Sequence, residues 1–235
     1  MRDNSEIFLR MKNLDIVNSR IDMHMHTTWT DGKDSLNDMA RQAEINSLTS
    51  IAITDHIRKE SDYYLHYLKD IKNIFGNFNV KIYSGFEAKI LNLKGDIDIP
   101  DEAVEKSDFV IASVHRLPYG QSYRHPKEIP FAELALIEKN LTLTAIKNNK
   151  RVSVVGHCGG MSIAAYGEFP VEYFEEIIRA CVNNEIAFEY NYKYHNGYEK
   201  KLKELLKRYN PYVSIGSDAH ERNRVSNRSF CDGED

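Results

Sequence analysis

Imidazole and carboxylate side chains close one short apolar run after another along this 235-residue chain. The runs cover residues 21–26, 51–56, 80–87, 109–115, 152–157 and 212–220, and six of the nine histidines fall at their ends: His24, His26, His56, His115, His157 and His220. A single histidine closing a strand is more often a hydrogen-bonded structural residue than a ligand. Six in the same position, joined by Asp31, Glu87 and Asp218, point to a common purpose. Neutral imidazoles and carboxylates can direct several lone pairs at one point without thiolates, which is the donor set of a divalent transition-metal site.

The spacing supports convergence. Residues two apart on a strand face the same side, so both imidazoles of His24-Met25-His26 can point into one mouth while Met23 and Met25 point outward to helices. Asp218 and His220 repeat that spacing. Asp31 sits in Thr30-Asp31-Gly32, where glycine permits a turn sharp enough to fold the carboxylate back over the same rim.

If the runs are parallel strands, their ends meet at one rim, where α/β barrels place their chemistry. The intervening segments suit crossover helices. Residues 35–47 open on an N-cap serine, 61–75 carry an apolar stripe that stops at Gly76, and 131–147 form a longer helix. Residues 171–183 follow Pro170, and 198–209 end before Pro211. Residues 186–190 add a strand, 91–100 read as a hairpin or extended loop, and 101–106 as a helical turn or two. About seven strand–helix units alternate, so the expected fold is α/β: a mostly parallel sheet closed or nearly closed into a barrel, with outer helices. The expected organisation is a helical extension over 1–20, a catalytic domain over 21–220 and a polar tail over 221–235. Ile7, Phe8, Leu9, Met11, Leu14, Ile16 and Val17 of the extension are expected to pack where a trailing helix would otherwise sit.

With 42% hydrophobic residues, the chain can bury one substantial core. A net charge of -4 gives no global basic field, which disfavours a protein that coats nucleic acid electrostatically. Three cysteines, Cys158, Cys181 and Cys231, form no CxxC pair, as expected of a reducing, cytoplasmic compartment. The first twenty residues mix acid and base, so neither a secretory signal nor a spanning helix is expected.

In order, residues 24–32 (HMHTTWTDG), 54–56 (TDH), 85–87 (GFE), 113–115 (SVH), 156–157 (GH) and 217–220 (SDAH) resemble the motifs of the polymerase and histidinol phosphatase (PHP) superfamily. Each tripeptide alone is weak; the ordered set, spanning residues 21–220, is specific. The resemblance implies a distorted seven-stranded barrel, (β/α)7, carrying two to three divalent ions of manganese, iron or zinc. It assigns His24, His26, Glu87 and Asp218 to one ion. Glu87 would bridge to a second ion held by His115 and His157, and Asp31, His56 and His220 would hold a third.

The expected activity is that of a metal-dependent phosphoesterase similar to histidinol phosphatase, which cleaves a small phosphomonoester with a metal-bridging hydroxide as nucleophile. Asp218 or His220 is expected to relay a proton. Arg116 and Lys193, each immediately after a strand, lead the candidates for substrate contact, followed by Arg58 and Arg222, with Lys59, Arg124 and Arg224 as further loop cations. Asp55 is expected to support the site through an imidazole. Tyr119 and His125 could line the entrance, and His66 and His195 receive no role. Alternative readings are a phosphodiesterase or exonuclease acting on nucleic acid or nucleotides, and a metal-binding module without turnover. An amidohydrolase-type enzyme is disfavoured because no lysine stands out at a strand end.

Overall fold

The structure, a computed structural model, describes residues 4–16, 18–119 and 122–226. In chain order it contains β1 (Leu9–Arg10), β2 (Ile21–Asp22), α1 (Leu36–Ile45), β3 (Ser50–Ile53), β4 (His56–Ile57) and α2 (Tyr64–Asn73). Then come β5 (Lys81–Lys89), α3 (Asp101–Lys106), β6 (Phe109–Ser113), β7 (Leu117–Tyr119), β8 (Ser122–Arg124), α4 (Phe131–Asn148) and β9 (Val154–Val155). The last elements are α5 (Gly160–Tyr166), α6 (Val171–Asn184), β10 (Ala187–Asn191), α7 (Glu199–Tyr209) and β11 (Tyr212–Gly216).

Seven strands, β2, β3, β5, β6, β9, β10 and β11, lie side by side in that order with every adjacent pair parallel. The fourth strand resumes β3 after a break and pairs with β5, setting His56 opposite Glu87. The sheet curls until its ends meet: Met23 N donates to Ile215 O at 2.7 Å, and Met25 and Ala219 form a parallel bridge. The expected seven-fold barrel is therefore present, with its seam closed at the rim that carries the histidines.

Side-chain alternation explains why the rim is polar. On the outer face Ile51, Ile53, Phe86, Val110, Ala112, Phe188 and Ile215 join the core packed against the helices. On the inner face Ala52, Phe109, Ile111, Val154 and Ala187 form an apolar floor. Continuing the inner parity upward from Phe109 reaches Ser113 and then His115; from Ala187 it reaches Glu189; from Ala52, His56. One face of these three stretches thus serves as core below and site above.

Met23 departs from the expected pattern. It packs with the floor residues, whereas Met25 packs in the outer core. Asp22 turns away to Ser217 while His24 turns in to Glu189, so the inward alternation shifts by one residue between Met23 and His24.

The helices follow the sequence pattern closely. α1 starts at a Ser35–Asp38 capping box, and α7 stops at Asn210 in the left-handed region (φ 51°), with Pro211 next. Residues 91–100 form a loop pinned by an antiparallel Ile90–Ile97 bridge.

The leading segment is not a regular helix: two single 3-10 turns, Asn4–Glu6 and Met11–Asn13, flank β1. Its apolar residues serve different layers, which prevents a single helical stripe. Phe8 plugs the barrel floor with its ring 5.2 Å from that of Phe109, while Met11 and Ile16 join the outer core. β1 pairs antiparallel with the start of β11. Val17, the first three residues and residues 227–235 of the expected polar tail, Cys231 included, lie outside the described residues. Among the described residues no helix is long and apolar enough to cross a membrane.

Candidate metal centre

Glu87, on the inner face of β5 and 1% exposed, is the hub. Its Oε1 lies 3.0 Å from His115 Nε2 and 2.9 Å from His157 Nε2. Its Oε2 lies 3.1 Å from His56 Nδ1, 3.4 Å from His26 Nε2 and 3.5 Å from His24 Nε2. Asp218 Oδ1 approaches His26 Nε2 at 3.2 Å and His24 Nε2 at 3.7 Å. Asp31 Oδ2 approaches His56 Nε2 at 3.2 Å and His220 Nε2 at 3.4 Å. All nine candidate ligands are thus gathered at one end of the barrel; their donor atoms cluster as His26, Asp31, His56 and His220, as His24, His26 and Glu87, and as His56, Glu87 and His115.

The donor geometry fits a cation better than a hydrogen-bond network. His24 Nδ1 sits 2.7 Å from Glu189 Oε1, which places its proton there and leaves the Nε2 lone pair facing His26 Nε2 at 3.2 Å. His115 and His157 likewise oppose Nε2 atoms at 3.3 Å. Glu87 Oε2 has three imidazole nitrogens around it, none in hydrogen-bonding geometry, and His26 Nδ1 also lacks a hydrogen bond. Buried polar atoms left in this state are costly unless something else satisfies them, and divalent ions would do so. Imidazole–carboxylate sets of this kind accept manganese, iron and zinc.

Burial raises the Glu87 carboxyl, but the imidazoles of His115 and His24 outweigh it and hold the pKa well below its usual value. Burial likewise works against charge on His24, yet Glu189 and Glu87 raise its pKa well above normal. For His26 burial wins and lowers the pKa to about 4. Asp218 is raised by burial and pulled down further by its His26 contact and by His24, so it remains ionised.

Several residues that organise the centre carried no sequence signal strong enough to single them out. Glu189, wholly buried on β10, receives His24 through Oε1 and the backbone N–H of His157 through Oε2. One carboxylate therefore aligns ligands from opposite sides of Glu87. Asp22 accepts from Ser217 N, Ser217 Oγ and Ser226 N, tying the SDAH turn to β2; burial pushes its carboxyl up to about 6. Glu138 of α4 accepts from Met161 N, Ser162 N and Ser162 Oγ at the start of α5, fixing the turn that follows His157.

Glycines make the packing around Glu189 feasible. A Cβ at Gly216 would stand 2.3 Å from Glu189 Oε1 and 2.6 Å from His24 Cβ. Gly216→Ala is therefore expected to displace both side chains and to lower bound metal, measured by elemental analysis, together with thermal stability by about 1–3 kcal/mol. Gly32 serves the close approach of its turn, since a Cβ there would lie 2.5 Å from His26 O. Glu189→Gln preserves volume but removes the charge that orients His24. It should weaken metal affinity by about 10–100-fold, as read in competition with a chelating dye.

Asp55 does not act through an imidazole. It accepts from Thr27 N, Thr27 Oγ1 and Thr30 Oγ1, and so shapes the loop that carries Asp31. His195 is buried and structural: Nδ1 accepts from Asn191 N, Nε2 donates to Cys158 O, and burial lowers its pKa to about 4. His125 caps the turn Pro126–Glu128, His66 lies exposed on α2, and the side chain of Tyr119 is outside the described residues. Burial pushes the Cys158 thiol well up, which suits a packing residue and not a nucleophile.

A cavity of about 360 Å³ stands over the centre, lined by His56, Glu87, His115, His157, Asp218 and His220 and by the cations Arg58, Lys89, Arg116 and Lys193. Three of the four expected substrate-contact residues are there. Arg222 is the exception: its backbone N–H and guanidinium turn to Asp34, because the chain after His220 forms a 3-10 turn that carries the side chain outward. Arg224, four residues beyond His220, instead lines a neighbouring cavity of about 500 Å³ with Lys33, Tyr192, Lys193, Asn196 and Glu221. Lys89 was legible after all as a lysine at a strand end: it lies two residues beyond Glu87 on β5 and hence on the same face. Burial, then the charges of Arg116 and Arg58, lower its pKa.

Comparison with known proteins agrees with this architecture. A family model described as "PHP domain" matches residues 22–212. A protein of Caldicellulosiruptor saccharolyticus named a probable phosphatase is 28% identical over 214 residues, covering 88% of this chain and 82% of its own length. Histidinol phosphate phosphatase from Lactococcus lactis, solved with zinc, L-histidinol and phosphate, superposes with a TM-score of 0.65 at 20% identity, covering 86% of both chains. A structure from Listeria monocytogenes superposes with a TM-score of 0.72 at 16% identity, over 88% of this chain and 97% of the other. At those identities the two structures speak for the fold.

Proposed function

Because the chain belongs to the PHP domain family, we propose that it is a metal-dependent phosphatase that hydrolyses a small phosphomonoester within a single domain spanning residues 21–220. The observation that carries this reading is the convergence of five imidazoles on the two oxygens of one buried carboxylate, Glu87. The naming of a relative covering most of both chains as a probable phosphatase supports it, as does histidinol and phosphate bound to a structure of the same fold.

In this reading His24, His26, Glu87 and Asp218 hold one ion, Glu87, His115 and His157 a second, and Asp31, His56 and His220 a third. Ions bound there would supply a bridging hydroxide at neutral pH, by lowering the pKa of water from 15.7 to about 7, and a clamp for phosphoryl oxygens. The chain's own residues do the rest. Glu87 presents one oxygen to each side of the cluster, and Glu189 keeps the His24 ring turned so that Nε2 faces inward. Lys193 Nζ, 2.7 Å from Asp218 Oδ2, stands where the two cavities join and meets the phosphoryl group at the opening toward the larger one. Burial disfavours its charge, but Asp218 raises its pKa, so Lys193 stays cationic.

Both residues expected to relay a proton line the cavity, and Asp218 is held ionised beside Lys193. Its Oδ2 faces Lys193 and the cavity, whereas His220 donates Nδ1–H to Asp218 O at 2.9 Å and turns Nε2 to Asp31. The leaving alcohol extends into the larger cavity, whose volume of about 500 Å³ suits a small molecule. A screen of phosphomonoesters and a single-stranded oligonucleotide, with manganese, iron or zinc added and again after chelation, tests the proposal. Metal-dependent release of phosphate from monoesters is expected. Cleavage of the oligonucleotide alone would replace the reading with a nuclease, and no turnover of any ester in protein that retains its metal would remove it.

A further inference from the structure

The cavity over the metal centre holds more positive charge than cleavage of one phosphate group requires. Among the described residues its four cations are Arg58, Lys89, Arg116 and Lys193, and its only carboxylates are Glu87 and Asp218, both committed to the histidine cluster. Lys193 is paired with Asp218. The other three form a separate group on the loops after β4 and β6 and at the end of β5. Lys89 Nζ reaches Asp98 only at 4.0 Å, and among the described residues Arg58 and Arg116 make no ion pair. Arg116 is steadied instead by the Tyr123 ring, 5.1 Å from its guanidinium carbon. Guanidinium forks match carboxylate and phosphate oxygens in paired hydrogen bonds, and such cations repel one another unless an anion lies between them.

A phosphomonoester brings at most two charges, and the metal ligand set with Lys193 already faces them. The neighbouring cavity offers no counter-argument for a cationic leaving group. Its one carboxylate outside the ligand set, Glu221, is engaged by Lys33 at 3.1 Å and Arg224 at 3.6 Å.

We propose that Arg58, Lys89 and Arg116 form a second anion subsite, and that the substrate carries a carboxylate or a further phosphate besides the phosphoryl group that is cleaved. This rests on the phosphatase reading for its biological meaning, but the subsite itself is open to a binding measurement independent of turnover. Three non-cleavable ligands of one chain length serve: propylphosphonate, 3-phosphonopropionate and 1,3-propylenediphosphonate. They are titrated calorimetrically into the metal-loaded protein at fixed excess metal.

One or both of the two-armed ligands should bind at least about tenfold more tightly than propylphosphonate. Which arm gains more identifies the second group as carboxylate or phosphate. In Arg58→Gln/Arg116→Gln that ratio should collapse toward unity, while a two-armed ligand that merely chelates metal would keep its advantage. Equal affinities in the unaltered protein, or an advantage retained in the double variant, would overturn the subsite. Phosphonate discrimination without turnover of any phosphomonoester would remove the phosphatase reading and leave the subsite standing; turnover of simple monoesters with equal phosphonate affinities would do the reverse.

Discussion

Glu87→Gln should reduce kcat/KM for any phosphomonoester substrate by about a hundred- to several-thousandfold and should deplete the protein of metal. Removing one charged partner from a buried, mutually dependent set costs about 3–5 kcal/mol, and each 1.4 kcal/mol is a factor of ten. Here the affected carboxylate has imidazole nitrogens of His24, His26, His56, His115 and His157 within 3.5 Å. Glutamine keeps the volume but exchanges one oxygen for an N–H2 group, which would point hydrogens at lone pairs meant for a cation. The loss should appear as fewer ions per chain in elemental analysis, with kcat lowered at saturating substrate. A variant that kept its full metal content and a rate within tenfold of the unaltered protein would show that Glu87 is not the bridging ligand. The contrast with Glu189→Gln is informative. That residue hydrogen-bonds His24 and His157 and stands outside the donor groups, so its replacement should be largely rescued by raising the metal concentration, whereas Glu87→Gln should not.

The difference between what was legible in the sequence and what was not follows from the range of the interactions involved. Ligands at strand ends were legible because each is marked locally by the end of an apolar run; parity along the strand sends His56, Glu87 and His115 inward, whereas His157, out of step with the inward Val154, enters through a left-handed backbone (φ 25°) that no local pattern encodes. Helix limits were legible for the same reason, as at the Ser35 cap of α1 and the Pro211 that follows α7. Glu189 was hidden because it sits mid-strand among apolar neighbours, where a carboxylate gives no indication that residues 24 and 157 will meet it. Asp22 and Glu138 are hidden likewise, each paired with backbone N–H groups distant in sequence. The shift of alternation at Met23 depends on how β2 joins β11 at the seam, which no local pattern encodes. The hairpin of β7 and β8 and the short helix α5 are too brief for periodicity to register. Arg222 does not line the cavity over the centre, because one turn after His220 sends it to Asp34.

Stripping the metal with a chelator should lower thermal stability, and the deficit should widen as pH rises from 6 to 8.5. In the metal-free protein the facing lone pairs of His24, His56 and His157 are reconciled by protonation. For all three, burial opposes the charge but is outweighed, by Glu189 and Glu87 for His24 and by Glu87 for the other two, so the folded pKa values lie above the usual 6.5. A group whose pKa is raised by folding contributes stability that is fully present below the unfolded value and is lost as pH rises through the folded one. The metal-free protein should therefore weaken steadily above pH 6.5. Ion binding runs the other way: the ligands must shed those protons, so proton release accompanies uptake and affinity climbs with pH until they are gone. His26, with its pKa lowered to about 4, is already neutral and should release none. Asp22 and Asp55, each raised by burial to about 6, titrate in both forms and cancel from the comparison. Metal at 100 times its dissociation constant adds about 2.7 kcal/mol, which for a chain of this size corresponds to roughly 5–10 °C in Tm. Melting curves of loaded and stripped protein across that range would measure the gap, and calorimetry in buffers of different ionisation enthalpy would count the protons. A gap that narrowed toward pH 8.5, or metal uptake without proton release at pH 6.5, would mean that the imidazoles are not the ligands.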